Sequence, residues 1–229
     1  MKGPFRMGDW ITLTSSDGHQ LAAYEAKPAQ PRGGLVLLQE VFGLNSYIRA
    51  RCEHYATLGY HVVAPALFDR IRPDLQLGYS MEDGLKGRAI RESLDWPDVL
   101  MDTRAAVDRL AGSGPIGAIG YCWGGTIAWL AATRFPEIKA ASCYYGTQIL
   151  QFASERPACP VQMHFAERDH VVSLADVAKI EQLTAGQPVE IHIYPAEHGF
   201  ACDEREAYHP ASAEAANQRT QALFKAQLG

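Results

Sequence analysis

Six short apolar runs recur along the chain, and they limit its fold more than any other feature. The runs cover residues 33–39, 60–66, 115–120, 139–146, 160–166 and 189–195. They are rich in apolar and β-branched residues and are mostly bounded by Gly or Pro, which is typical of strands buried on both faces of a parallel sheet. Ahead of them, residues 10–26 alternate on both sides of Asp17-Gly18, which predicts an N-terminal β-hairpin.

Helical patterns fill most of the gaps between these runs. They cover residues 46–58, 97–110, 124–135, 174–184 and 211–227. The alternation predicts an α/β fold, with a mainly parallel central sheet and helices on both of its faces. A length of 229 residues allows one large domain or two small ones, and because no shift in composition marks a boundary, we predict one domain over residues 1–229.

The long connection over residues 67–96 fits neither pattern. It is highly charged and mixes apolar with polar residues without a clear period. Long connections of this kind often contribute to the rim or lid of a binding site.

Composition and charge exclude several classes of protein. The formal net charge is −5, and the Lys and Arg residues are scattered, so we expect no nucleic-acid partner. The apolar stretches are shorter than the roughly 20 residues that cross a bilayer, so we expect no membrane partner. The first ten residues lack the apolar segment of a signal peptide, which predicts a soluble, cytoplasmic protein.

The cysteines predict neither a disulfide framework nor a zinc site. There are five of them, an odd number, widely spaced and without any Cys-x-x-Cys pair. At least one thiol is therefore free. We expect no metal and no organic cofactor.

The turn Gly120-Tyr121-Cys122-Trp123-Gly124 has the spacing of a nucleophile elbow, with Cys in the place of Ser. A nucleophile at a sharp strand-to-helix turn needs small neighbours, because larger ones would collide with the backbone. The following helix would direct its N-terminal N–H groups at the thiol and favour the thiolate. The sequence therefore predicts that Cys122 is a catalytic nucleophile.

The competing interpretation is that Cys122 is a small apolar residue of the core. That is the usual role of a buried cysteine. We expect it for Cys52, Cys143 and Cys159, which lie in helical or strand patterns. The glycines on both sides of Cys122 favour the catalytic interpretation there.

A thiol nucleophile needs a base and an orienting carboxylate, which in this kind of fold follow the nucleophile in the order acid, histidine. Asp169 lies just past the fifth apolar run, with Glu167 as its competitor. His198 follows the sixth run. His170 is its one rival, although adjacent residues on one turn, such as Asp169 and His170, seldom face each other. We predict the set Cys122, Asp169 and His198.

Several of these motifs together resemble a known family. The stretches "GAIGYCWGG", "ERDHVV", "AEHGF" and "LLQEVFGLNSYIR" are similar to those of the dienelactone hydrolases, or carboxymethylenebutenolidases, which have the α/β-hydrolase fold. The most specific element is residues 39–43, "QEVFG", combined with Gly-Tyr-Cys-x-Gly-Gly. The resemblance runs from about the first hairpin to the last helix, and it implies a Cys122, Asp169, His198 triad.

The same resemblance implies further site residues. Glu40 corresponds to a glutamate beside the thiol that swings on substrate binding and helps to generate the thiolate. Our alternative for Glu40 is a helix cap or a salt bridge at the start of the next helix. The backbone N–H groups of Val41 and Trp123 would form the oxyanion hole.

The sequence departs from the family where the substrate carboxylate is held. Family members place an arginine a few residues past the catalytic histidine, but here Ala201 and Cys202 stand at that point and Arg205 is the first cation. Arg88 and Arg91 in the long connection are further candidates for substrate binding. For Cys202 we expect a rim or packing role.

These observations predict a hydrolase that cleaves a small-molecule ester or lactone through a thioester at Cys122. An alternative is a general carboxylesterase or thioesterase with another natural substrate. A second alternative is a ligand-binding protein that keeps the hydrolase fold without its chemistry.

Overall fold

The computed structural model describes residues 8–229. These residues form two compact units, the first ending at Ile116 and the second running from Gly117 to Gly229. Our assignment of one domain to residues 1–229 stays a prediction. Residues 1–7, which carry most of the segment that we judged not to be a signal peptide, lie outside the described residues.

The first unit contains the predicted hairpin and the first two apolar runs. Its strands, in the spatial order β1-β2-β4-β3, are β1 (Asp9–Thr14), β2 (Gln20–Ala26), β3 (Gly33–Leu38) and β4 (Tyr60–Pro65). Strands β1 and β2 are antiparallel, with Leu13 opposite Leu21. Strand β2 is antiparallel to β4, whereas β3 and β4 are parallel, with Leu35 opposite Val62. The predicted N-terminal hairpin is confirmed.

Three helices complete the first unit: α1 (Ser46–Thr57), α2 (Met81–Glu92) and α3 (Trp96–Arg109). Asn45 caps α1, because its side-chain oxygen accepts the Ile48 N–H at 3.3 Å. Helix α2 lies inside the long connection and was not predicted. Its buried positions are two glycines, Gly84 and Gly87, so it carries no apolar stripe that a sequence pattern could show.

The second unit contains the remaining runs in a simple order. In spatial order its strands are β5-β6-β7-β8: β5 (Ile116–Tyr121, of which Ile116 is the last residue of the first unit), β6 (Ile138–Tyr144), β7 (Val161–Ala166) and β8 (Val189–Tyr194). Strand β7 is parallel to both β6 and β8. The helices are α4 (Trp123–Arg134), α5 (Ile149–Phe152), α6 (Leu174–Leu183) and α7 (Pro210–Leu228).

Helix α4 is the most deeply buried helix of the second unit. Every residue from Trp123 to Ala132 is buried, and the helix packs against β6. Fully burying one large apolar side chain stabilises a fold by about 1.5–3 kcal/mol. The helix that follows Cys122 is therefore a fixed support for the turn before it.

One apolar run differs from the prediction of burial on both faces. All six residues of β3, β4, β5 and β7 are buried, but β8 is largely half-exposed or exposed, with Ile193 52% exposed. Strand β8 stands last in the strand order, so only one of its edges pairs with a neighbouring strand. The expectation of burial on both faces is wrong for this strand.

Within residues 8–229, no helix combines the length and the apolar character that crossing a bilayer would require.

Candidate active site

Cys122 lies at a sharp turn between the end of β5 and the start of α4. Its φ of 54° is in the left-handed region, which residues with side chains rarely adopt. Two backbone hydrogen bonds hold it there. Cys122 N–H donates to the Tyr144 carbonyl at 2.9 Å, and Gly125 N–H donates to the Cys122 carbonyl at 2.9 Å. The turn is therefore fixed by strand β6 on one side and by its own helix on the other.

The glycines of this turn are required by close backbone contacts. A Cβ on Gly120 would lie 1.9 Å from the Gly124 carbonyl oxygen. One on Gly125 would lie 2.7 Å from the Tyr144 carbonyl oxygen. Both distances are shorter than any side chain allows, so a larger residue at either position would displace the backbone that presents Cys122.

The predicted histidine and aspartate form a chain of hydrogen bonds with this cysteine. His198 Nε2 lies 3.3 Å from Cys122 Sγ, and His198 Nδ1 lies 2.8 Å from Asp169 Oδ2. The other oxygen of Asp169 accepts the N–H groups of Val171 at 2.7 Å and Val172 at 3.0 Å. The carboxylate is thus held from both sides, and it faces the imidazole in one orientation.

Burial and charge act in opposite directions on this set. Burial is the largest influence on His198 and by itself lowers the pKa of the imidazole. The negative charge of the Cys122 sulfur and the hydrogen bond to Asp169 outweigh burial and raise the pKa of His198 to about 10. For Asp169, burial alone would raise the pKa, but the His198 contact and the two backbone donors lower it. The surroundings of His198 therefore favour its protonated form, and those of Asp169 favour the carboxylate.

Tyr145 is a neighbour of His198 that the sequence did not reveal. Its ring meets the His198 ring edge-on at a centroid distance of 4.9 Å. Its backbone has a φ of 38°, and its N–H donates to the His164 carbonyl at 2.7 Å. The strained backbone at the end of β6 turns the aromatic ring against the imidazole. Its place at the end of an apolar run was the only signal in the sequence.

The residues that competed for the acid and base roles lie differently. Glu167 is exposed and uses its backbone N–H to bond Tyr194. His170 is also exposed, and its ring meets the His198 ring edge-on at 5.9 Å. His198, and not its competitor His170, is the histidine that lies within hydrogen-bond distance of both Cys122 and Asp169.

Glu40 and Val41 lie in the first unit, directly after the end of β3. Glu40 is fully buried at 0% exposure, and the Tyr79 hydroxyl lies 3.4 Å from its Oε2. A Cβ on Gly87 would lie 1.7 Å from the Val41 carbonyl oxygen, so helix α2 packs directly on this loop. Both residues lie in the loop between β3 and α1.

The three candidate arginines have different surroundings. Arg205 lies beside the loop of His198, because a Cβ on Gly199 would be 2.3 Å from its Nη1. Arg91 forms an ion pair with Glu92 at 3.6 Å. Arg88 is exposed on α2. Arg205 is thus the candidate that lies against the chain segment carrying His198.

Cys202 lies in the same segment as Arg205. It is fully buried, and its N–H donates to the Gly199 carbonyl at 3.0 Å. This burial agrees with the packing role expected for it.

A sequence model described as the dienelactone hydrolase family matches residues 21–228, nearly the whole chain. The chain belongs to the dienelactone hydrolase family. It is accordingly a carboxylic ester hydrolase, and its substrate is a small molecule. The resemblance inferred from the motifs is confirmed.

Individual relatives agree with this assignment. A protein of Synechocystis sp. named "Putative carboxymethylenebutenolidase" is 32% identical over 229 residues, covering 91% of this chain and 93% of its own length. A protein of Azospirillum brasilense with the same name is 32% identical, covering 96% of this chain and 99% of its own.

A solved structure extends the comparison to the fold. The crystal structure named for a "Putative Dienelactone Hydrolase" from Klebsiella pneumoniae has a TM-score of 0.73 at 27% identity, covering 95% of this chain and 99% of that one. The predicted α/β-hydrolase fold class is confirmed.

Proposed function

We propose that this enzyme hydrolyses a small ester or lactone through a covalent thioester on Cys122. In this proposal His198 is the general base and acid, and Asp169 fixes its tautomer and stabilises the imidazolium. The observation that supports it best is the continuous hydrogen-bond chain at 3.3 and 2.8 Å, which begins at a cysteine held in a left-handed turn.

The first half of the reaction forms the thioester. The Cys122 thiolate attacks the carbonyl carbon, and the carbonyl oxygen becomes an oxyanion. We assign the stabilisation of that oxyanion to the backbone N–H groups of Val41 and Trp123, and removing one such donor typically slows a reaction by about 10²–10³-fold. The C–O bond then breaks, and the leaving oxygen takes the proton from His198.

The second half returns the enzyme to its starting state. His198 removes a proton from water, and the resulting hydroxide attacks the thioester carbonyl. The C–S bond breaks, the thiolate is regenerated beside the protonated imidazole, and the carboxylic acid is released. Because a thiolate is a better leaving group than an amine, attack on an amide reverts, so we expect esters and lactones to be preferred over peptides.

Glu40 has a supporting role in this proposal. The family resemblance assigns Glu40 to thiolate formation. Its complete burial beside the Tyr79 hydroxyl is consistent with a role in the reaction. A carboxylate is rarely buried in this way unless neighbouring groups bond to it.

The covalent step can be tested with p-nitrophenyl acetate. We expect hydrolysis to fall to the background rate in Cys122→Ala, and intact-mass measurement of the wild-type enzyme to show one added acetyl group early in the reaction. Cys159→Ala is the matched control, since Cys159 is a buried thiol elsewhere in the second unit. Unchanged hydrolysis in Cys122→Ala would refute the proposal.

A second candidate is an esterase for uncharged substrates. It is favoured by Cys202, which stands, fully buried, where family members place a carboxylate-binding arginine. Comparing kcat/KM for a dienelactone carrying a free carboxylate with that for a neutral aryl lactone separates the two. If Arg205 binds the carboxylate, Arg205→Gln should reduce kcat/KM for the first substrate alone. An equal effect on both substrates would exclude that role.

A further inference from the structure

Residues 75–87, which we call the clamp segment, pack closely on the loop of residues 40–43 in the first unit. Leu77 N–H donates to the Phe42 carbonyl at 2.9 Å, and Gly43 pairs with Gln76 in an isolated antiparallel bridge. A Cβ on Gly43 would lie 2.1 Å from the Leu75 carbonyl oxygen. The backbone of the clamp segment therefore fixes the loop that carries Glu40.

Tyr79 is the side chain of the clamp segment that reaches Glu40. Its hydroxyl lies 3.0 Å from Asn45 Nδ2 and 3.4 Å from Glu40 Oε2. Its ring meets the Phe42 ring edge-on at 4.7 Å. The Tyr79 hydroxyl thus lies between the Asn45 amide and the Glu40 carboxylate. The contact between the Tyr79 and Phe42 rings holds it there, and that contact does not require the hydroxyl.

The surroundings of Asn45 decide the direction of these hydrogen bonds. Asn45 Oδ1 accepts the Ile48 N–H as the cap of α1, so the other end of the amide is its NH₂ group. That group donates to the Leu77 carbonyl at 3.3 Å and to the Tyr79 oxygen. Because the Tyr79 oxygen accepts from Asn45, its own proton is available to point towards Glu40.

We infer that Tyr79 is a positioning residue for the reaction, which orients the Glu40 carboxylate through its hydroxyl. The inference rests on the role in thiolate formation proposed for Glu40. At 3.4 Å the contact is longer than an ordinary O–H···O hydrogen bond. Such a contact orients a carboxylate and still allows it to move when substrate binds.

The test is a double-mutant cycle of Tyr79→Phe and Glu40→Gln. Tyr79→Phe keeps the ring against Phe42 and removes only the hydroxyl. We expect kcat to fall by about tenfold with KM nearly unchanged, because a hydrogen bond to a charged group is lost. The acid side of the kcat pH profile should move to higher pH, since the ionised carboxylate has lost a donor. In the Glu40→Gln background, Tyr79→Phe should have no further effect.

A second variant tests the same inference without touching the tyrosine. Asn45→Asp keeps a side-chain oxygen for the α1 cap but replaces the NH₂ donor to the Leu77 carbonyl and the Tyr79 oxygen with an acceptor, which draws the Tyr79 proton away from Glu40. We expect the same reduction of kcat, and no additional reduction when Tyr79→Phe is also present. Tyr208→Phe, on an exposed residue of the second unit, is the control and should leave kcat unchanged.

The outcomes separate the two proposals. Wild-type kcat in Glu40→Gln would overturn the role of Glu40 and the inference with it. Reduced kcat in Glu40→Gln together with wild-type kcat in Tyr79→Phe would overturn the inference alone. Independent, multiplying effects of the two substitutions would also overturn it, because Tyr79 would then act without Glu40.

Discussion

Each of the two units contains a buried histidine bonded to a hydroxyl or thiol on one side and to a carboxylate on the other. In the first unit, His61 lies 2.7 Å from Ser113 Oγ and 2.9 Å from Glu25 Oε1. In the second unit, His198 joins Cys122 and Asp169 at 3.3 and 2.8 Å. By distance alone, both sets resemble a catalytic triad.

The charges around the two histidines differ. Glu25 is also bonded by the Arg109 guanidinium at 2.8 and 3.1 Å, which offsets its negative charge. Burial therefore dominates at His61 and lowers its pKa. At His198, the negative charges of Cys122 and Asp169 dominate and raise the pKa. The His61 set favours a neutral imidazole, and the His198 set favours a charged one.

The backbone around the two nucleophile positions differs as well. Cys122 stands in a strained turn at the N-terminus of a buried helix. Ser113 lies between two glycines after α3, and its N–H bonds the Leu110 carbonyl at 3.0 Å. Its hydrogen bond to His61 ties that loop to strand β4. Three side chains at triad distances are therefore insufficient to identify a catalytic site. The charge and the backbone strain around the two sets favour the His198 set as the candidate.

Replacing the two histidines gives the largest contrast. His198→Gln should reduce kcat/KM for an aryl ester by roughly 10²–10⁴-fold, because the base and acid are lost. His61→Gln should leave kcat/KM within about twofold and lower the free energy of unfolding by about 1–3 kcal/mol, because buried hydrogen bonds are broken. Steady-state kinetics and urea unfolding measure both quantities. A comparable loss of activity in His61→Gln would remove the distinction between the two sets.

Replacing the two carboxylates should give a smaller contrast in the same direction. Asp169→Asn is expected to reduce kcat by on the order of 10²-fold, because the imidazole loses the group that fixes its tautomer. Glu25→Gln should change stability and leave kcat unchanged. If Asp169→Asn has wild-type kcat, the assignment of Asp169 fails, and Glu167→Gln becomes the next variant to measure.

Much of the second unit could be predicted because its signals are local. The turn at Cys122 needs glycines at fixed spacings, and Asp169 and His198 directly follow strands that the apolar runs reveal. The exposure of β8 could not be predicted, because its composition resembles that of a buried strand and only the strand order shows that it stands last.

More features of the first unit could not be predicted from the sequence. Helix α2 buries glycines instead of an apolar stripe. The contact between Tyr79 and Glu40 joins residues 39 positions apart, and the His61 set joins residues 36 and 52 positions apart. Such contacts depend on how strands and loops pack, and no local pattern records them.

The Cys122 sulfur contributes to the raised pKa of His198, and this contribution can be measured directly. Cys122→Ala removes the largest influence that raises the pKa of His198, so the pKa should fall below its wild-type value of about 10. Titration of the imidazole followed by NMR gives both values. The pKa of His61 should not change between the two proteins. An unchanged pKa for His198 would show that Asp169 alone sustains the charged imidazole.

The smallest expected effect is a difference in how stability depends on pH. Because the pKa of His61 is lowered in the folded protein, the unfolded chain binds a proton more readily, and stability is lost as the pH falls below about 6.5. His198 acts oppositely, since its raised pKa contributes stability that is lost as the pH rises from 6.5 through about 10.

The difference in unfolding free energy between wild type and His61→Gln isolates the first effect, because His198 is present in both proteins. His164 and His192, whose pKa values are also lowered, cancel in the same way. The difference should shrink between about pH 7.5 and pH 5.5 by at most about 1.4 kcal/mol, since only about one pH unit of that range lies below the unfolded pKa of about 6.5. Urea unfolding at the two pH values measures it. A difference that grows on acidification would mean that Glu25 holds His61 in its charged form, so that the two histidines would resemble each other after all.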